Sequence, residues 1–127
     1  MIRRLKYALH GLMVGIKHDR SIRLHIIVGV VVFIASFFVC LSSLDWAVLI
    51  LTIFFVIAME YVNSAIESFA DRVHPEQHLA IKKTKDLAAA AVLLASICAV
   101  LVGLFIFIPP LLNKTAGYCL TNLSDGN

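Results

Sequence analysis

Trp46-Ala-Val-Leu-Ile-Leu-Thr-Ile-Phe-Phe-Val-Ile-Ala-Met-Glu60-Tyr-Val-Asn63-Ser64-Ala-Ile-Glu67-Ser-Phe-Ala-Asp71 runs from an uncharged apolar stretch into a row of carboxylates without a break. As a helix at about 100° per residue, it gathers Glu60, Asn63, Ser64, Glu67 and Asp71 into roughly one third of the circumference. Fourteen uncharged residues separate Asp45 from Glu60. At about 1.5 Å each they cover about 21 Å, short of the roughly 30 Å hydrocarbon core of a bilayer. Glu60 is therefore expected half buried at or just inside a membrane boundary, where an ionisable group is costly and calls for a functional reason.

Composition supports a membrane setting. Hydrophobic residues make up 61% of the 127 positions and the mean hydropathy is +0.93, against about 45–50% apolar usage in soluble domains. The length allows one domain. A formal net charge of +3, with basic residues flanking the apolar runs, argues against a nucleic-acid partner and for anionic lipid or phosphate. Cys40, Cys98 and Cys119 cannot form a closed disulfide set and read as packing residues. The first long apolar run starts only after a charged segment, so no cleavable signal peptide is expected.

The expected fold is an all-α membrane protein: a surface helix at 2–18 and three transmembrane helices at 24–44, 46–71 (with a cytoplasmic extension) and 86–108. Together they form a membrane unit over 1–112, and the polar tail 113–127 is expected to be mobile. Ile2, Leu5, Leu9, Leu12, Met13 and Ile16 recur at spacings of three and four, giving an amphipathic helix on the membrane surface. Gly11 and Gly15 offer small-residue packing to a neighbouring helix; their spacing fails the P-loop pattern. Ser42-Ser43-Leu44-Asp45 reads as a tight polar turn and Trp46 as an interfacial anchor. Pro75 breaks the second helix, a polar connector carries Lys82, Lys83 and Lys85, and Pro109-Pro110 ends the third span. Ala91, Ala95, Ala99 and Gly103 make one face of that span smooth enough for close packing.

Six of the eleven Lys and Arg residues precede the first span, none lies in the first turn, four lie in the connector and one in the tail. The positive-inside rule places the N-terminus and the connector in the cytoplasm. Asp19, Glu60, Glu67, Asp71, Glu76 and Asp86 then share the cytoplasmic side. Asp19, Glu60, Asn63 and Glu67 are hard oxygen or amide groups of the kind that hold magnesium and its phosphate ligands, and Lys85 adds a cation. Such a set at a lipid boundary suits phosphoryl transfer from a nucleoside triphosphate. Plainer readings stand beside it: Glu60 as a helix-end residue reaching for water, Glu67 and Asp71 as a solvated face, Arg20 and Arg23 as a juxtamembrane anchor, Lys85-Asp86 as a boundary pair. His74 and His78 have the spacing of a zinc pair, but Pro75 intervenes and no third ligand follows.

Glu60-x-x-Asn63-Ser-Ala-Ile-Glu67-x-x-x-Asp71, followed by Lys85-Asp86-x-Ala-x-Ala-Ala-Val92, resembles the signature of the small prokaryotic diacylglycerol kinase and undecaprenol kinase family. The resemblance covers residues 3 to 108 and includes Asp19-x-x-x-Arg23. It implies a homotrimer of three-span subunits in the bacterial cytoplasmic membrane, with active sites between subunits at the cytoplasmic face. It implies ATP as co-substrate and Mg2+ as cofactor, Glu60 as the general base on the lipid hydroxyl, and Asp19 and Glu67 as metal ligands. Asn63, Lys85 and Asp86 would orient the phosphates, with Tyr7 and Glu76, Gln77 and His78 near the nucleotide, and Arg23 with Glu60 near the lipid. The family usually has glutamate where Asp19 stands, so metal contact there is either direct with backbone adjustment or through water. Arg23-Leu-His25 resembles the undecaprenol kinase branch, which makes undecaprenol the expected acceptor and diacylglycerol the alternative. A reading from another class, a non-enzymatic transporter or assembly subunit, would place its polar groups near mid-membrane rather than at one boundary.

Overall fold

The computed structural model describes residues 1–73, 76 and 78–112, and these form four helices: α1 (Ile2–His18), α2 (Arg20–Ser36), α3 (Ser43–Val73) and α4 (Leu79–Leu112). The tail, Cys119, His74, Pro75 and Gln77 lie outside the described residues. The long helix α3 packs against both α2 and α4, and α1 meets α2. Two helices, α3 and α4, are long and apolar enough to cross a membrane.

Asp19 makes the corner between α1 and α2. Its backbone is extended (φ −107°, ψ 118°), and its carboxylate caps α2 by accepting from the Ser21 N–H at 2.8 Å and the Ile22 N–H at 3.3 Å. Those donors have no partner within the helix, so an aspartate at this position both ends one helix and starts the next. Arg23 closes the other side: its Nη1 donates to the Ile16 carbonyl at 3.2 Å and the Lys17 carbonyl at 2.8 Å. None of the residues of α1 is buried.

Residues 24–44 were expected as one span, but α2 stops at Ser36, well short of Leu44. The Ser36 hydroxyl donates back to the Val32 carbonyl at 2.7 Å, the kind of local bond that competes with the helical ladder. Three successive turn bonds follow, from Phe37, Phe38 and Val39 to the carbonyls three residues earlier. The ending is fixed by packing as well. Phe33, Phe37 and Trp46 pack together with ring centroids 5.0–5.6 Å apart, so Trp46 has aromatic partners inside the protein. The expected turn at Ser42–Asp45 is already the first turn of α3. Ser42 Oγ donates to Asp45 Oδ2 at 2.7 Å and accepts from the Asp45 N–H at 3.1 Å, a reciprocal capping arrangement. Cys40 is disulfide-bonded, which corrects its reading as a packing residue; Cys98 is a free thiol.

On α3 the buried positions Leu49, Val56 and Glu60 repeat at helical spacing. The row of carboxylates is thus the continuation of the helix's own packing stripe. Helix α4 starts at Leu79, so Lys82, Lys83, Lys85 and Asp86 lie on its first turns instead of in an irregular connector. Pro109 and Pro110 lie inside α4, which continues to Leu112 and corrects the expected end of the third helix. Having no N–H, they leave the carbonyls four residues earlier, those of Phe105 and Ile106, without their ladder donors, a loss confined to the last turns of the helix. Of the small-residue face, Ala95 is buried and Ala91 half-buried, whereas Ala99 and Gly103 line an apolar cleft of about 450 Å³ between α2, α3 and α4.

α2 and α3 approach closely at Gly29, where a Cβ would lie 2.8 Å from Ile53 Cγ2. Gly29→Val is expected to force the helices apart and to destabilise the fold by about 1–3 kcal/mol, the usual range for overpacking. A lowered thermal midpoint in detergent checks this.

Candidate active site

Glu60 is buried to 4% exposure, more deeply than the half burial expected of it. The first two turns of α2 cover it. Ser21 Oγ donates to Glu60 Oε1 at 2.9 Å, and His25 Nδ1 lies 3.0 Å from the same oxygen. Oε2 has no hydrogen-bond partner among the described residues. A buried carboxylate needs such donors, because leaving it unpaired costs far more than an exposed one. Ser21 was missed at the sequence level and His25 was read only as a branch marker. Their spacing of four, one helical turn, at the start of an apolar run was the available signal.

One turn further along α3, Ser64 Oγ donates to Asp19 Oδ2. This bond, ahead of the backbone donors of Ile22 and Ser21 and the charge of Arg23, holds the Asp19 carboxyl below its ordinary value of 3.8 against the opposing effect of burial. Asp19 therefore links the α1–α2 corner to the carboxylate face of α3. Because its folded value is lowered, its contribution to stability is fully present above pH 3.8 and is lost as pH falls through the lowered value. Asp19→Ala is expected to cost about 1 kcal/mol through the lost cap, whereas Asp19→Asn keeps a capping oxygen but loses the charge and should fall between it and the wild type. Thermal midpoints of the three proteins in detergent check both the order and the acid-dependent loss, which should be largest in the wild type.

Asn63 and Glu67 sit next along the face. Asn63 Nδ2 donates to Glu67 Oε1 at 3.4 Å, a long bond, and the buried Asn63 Oδ1 has no partner among the described residues. Such an orphaned acceptor costs about 1–3 kcal/mol and marks a place where a donor or a cation would be welcome. At the end of the row Lys85 Nζ donates to Asp71 Oδ1 at 2.8 Å. Asp71 had no expected partner; it ties the end of α3 to the start of α4. That bond, then the nearby charges of Asp71 and Glu67, raises the Lys85 ammonium above its usual value of 10.5.

The other expected site residues are less gathered. Asp86 and Tyr7 are exposed. His78 directly precedes α4, its Nδ1 accepting from the Ala80 N–H at 3.3 Å, and its own N–H donates to the Glu76 carbonyl at 2.8 Å. Gln77 is outside the described residues. Arg23 is committed to the carbonyls of α1, a role the sequence did not indicate.

Among the described residues, no three His, Cys, Asp or Glu side chains come together to hold a metal ion. Magnesium rarely needs such a cage. It is commonly bound by one or two carboxylates together with phosphate oxygens and water. Glu67 and the unpartnered Asn63 oxygen are hard donors on one face and fit that mode; Asp19 already spends both oxygens on Ser21, Ile22 and Ser64.

Residues 6–107 match the family described as prokaryotic diacylglycerol kinase. The chain is 40% identical over 109 residues to a Synechocystis protein named diacylglycerol kinase, a match covering 85% of this chain and 62% of that protein. It is 31% identical over 105 residues to a Bacillus subtilis protein named undecaprenol kinase, covering 83% and 85%. A third relative, named diacylglycerol kinase in Escherichia coli, is 38% identical over 76 residues, covering 58% and 62%.

Proposed function

The chain belongs to the prokaryotic diacylglycerol kinase family, and on that premise we propose that it is an ATP-dependent lipid kinase that phosphorylates the hydroxyl of undecaprenol. The observation that carries this reading is Glu60, buried at the polar end of the α3 packing stripe with one oxygen held by two donors and the other uncommitted. A carboxylate so held is equipped to take a proton, and general-base catalysis of this kind is worth about 10²–10⁴-fold.

In this mechanism the lipid hydroxyl approaches Glu60 Oε2 and gives up its proton there as its oxygen attacks the γ-phosphorus of ATP; the bond from that phosphorus to the β–γ bridging oxygen breaks and ADP leaves with the bond's electron pair. Glu67 and Asn63 Oδ1 would hold the metal–phosphate unit, and Asp19 would contribute its negative charge through the α1–α2 corner. Lys85, set by Asp71, and Asp86 orient the phosphates, while Tyr7 and residues 76–78 contact the nucleotide. Magnesium, when bound, neutralises the charge of the transferring phosphoryl group. The chain's own residues supply position, a proton acceptor and complementary charge.

For the acceptor, the Arg23-Leu-His25 pattern resembles the undecaprenol kinase branch, and its His25 is a partner of Glu60. That supports undecaprenol. The diacylglycerol kinase name of the Synechocystis relative favours diacylglycerol as the second reading. Purified protein in micelles with labelled ATP and each lipid decides between them; faster labelling of diacylglycerol rejects undecaprenol.

The assembly proposed is a homotrimer in the cytoplasmic membrane with its site at the cytoplasmic face. Helix α2 has 17 residues, about 25 Å of helix, and with the chain to Leu44 it would provide the third crossing beside α3 and α4. The exposed apolar residues of α1, Leu5, Leu9, Leu12, Met13 and Ile16, are what a helix lying on lipid requires. The Lys and Arg distribution supports the orientation.

A further inference from the structure

Two residues of α2 share one oxygen of the buried carboxylate. Ser21 Oγ donates to Glu60 Oε1 at 2.9 Å, and His25 Nδ1 lies 3.0 Å from Oε1 and 3.0 Å from the Ser21 carbonyl oxygen. A carbonyl oxygen accepts only, and an ionised carboxylate does too. The nitrogen between them must therefore carry the hydrogen, which assigns the tautomer: Nδ1–H shared between Ser21 O and Glu60 Oε1, with Nε2 uncommitted. The Ser21 carbonyl sets the ring's position, because it belongs to the helical turn directly below His25. The ring also borders the apolar cleft between α2, α3 and α4, where water competes weakly and such bonds strengthen.

We infer that His25 is a positioning residue for the reaction: its Nδ1–H, with the Ser21 hydroxyl, fixes Glu60 Oε1 so that Oε2 is the one oxygen offered to the acceptor hydroxyl. This rests on the reading of Glu60 as the base. Without the donor, a glutamate with three rotatable bonds samples other rotamers, and a displacement of about 1 Å at a reacting group costs about 10²-fold. The role needs a donor at the Nδ1 position and nothing from Nε2. Asparagine places its amide nitrogen close to Nδ1, whereas glutamine places it close to Nε2.

The test is steady-state phosphoryl transfer in micelles by His25→Ala, His25→Asn, His25→Gln and Ser21→Ala, with folding checked by helical content and elution volume. His25→Ala and His25→Gln are expected to lower kcat by about 10–100-fold with little change in KM for ATP. His25→Asn should recover most of the loss, and Ser21→Ala, which removes one donor of two, should fall between. Wild-type kcat in a folded His25→Ala, or a His25→Asn no better than His25→Gln, overturns the inference; the Asn–Gln comparison stands even where the alanine variant does not fold. Glu60→Gln measured in parallel separates the two levels. An active Glu60→Gln removes the base reading itself, whereas an inactive one beside a fully active His25→Ala removes only the role of His25.

Discussion

Glu60→Gln is expected to lower lipid phosphorylation by about 10²–10⁴-fold, the worth of a general base, while leaving ATP binding and assembly intact. Glutamine keeps the shape and an oxygen that accepts from Ser21 and His25, so the contacts of Oε1 at 2.9 and 3.0 Å need not be lost. What it removes is the group that receives the proton. The substitution also takes one charge out of a site exposed to only 4%. Burying a neutral amide is less costly than burying a carboxylate, so the variant should be at least as stable as the wild type. Initial rates with labelled ATP, alongside a thermal melt, check both halves of the prediction.

Glu67→Gln is expected to act on the nucleotide side. The carboxylate would be the main charged donor for the metal beside the Asn63 oxygen, which has no partner among the described residues. Loss of that charge removes several kcal/mol of stabilisation from the transferring phosphoryl group; a loss of about 100-fold in kcat/KM for ATP corresponds to about 2.7 kcal/mol. Part of the loss should be recovered at high magnesium, because a weakened site is filled by mass action. A magnesium titration of the rate distinguishes this from Glu60→Gln, whose deficit should not respond to metal.

How much of this was legible in the sequence depended on whether one helix sufficed to show it. The row from Glu60 to Asp71 follows from helical geometry alone, and the expectation that Glu60 lies at a membrane edge comes from counting the residues behind it. The stop of α2 at Ser36 did not follow, because no charge or proline marks it; it depends on the Ser36–Val32 bond and on aromatic packing against Trp46, which arrives from the next helix. The same holds for the site's supporting contacts. Ser21 and His25 reach Glu60 across 39 and 35 positions of sequence, and Lys85 meets Asp71 only because α4 begins at Leu79 beside the end of α3. Arg23, expected beside the lipid, caps α1 because the corner at Asp19 brings the last carbonyls of that helix within its reach. Asp71, which had no role on spacing alone, gains one as the anchor of Lys85.

Fold and chemistry meet at Asp19. It caps α2, bonds to Ser64 and so sets the α1–α2 corner against the same stripe of α3 that carries Glu60, Asn63 and Glu67. Disturbing the corner should therefore disturb the site.

The most direct measurement is transfer of label from γ-labelled ATP to undecaprenol by the purified full-length protein in micelles, run side by side with Glu60→Gln. The reading of Glu60 as the base of a lipid kinase predicts labelled undecaprenyl phosphate from the wild type and almost none from the folded variant. Equal labelling by the two proteins, or no lipid labelling by a folded wild type with either undecaprenol or diacylglycerol, would contradict it.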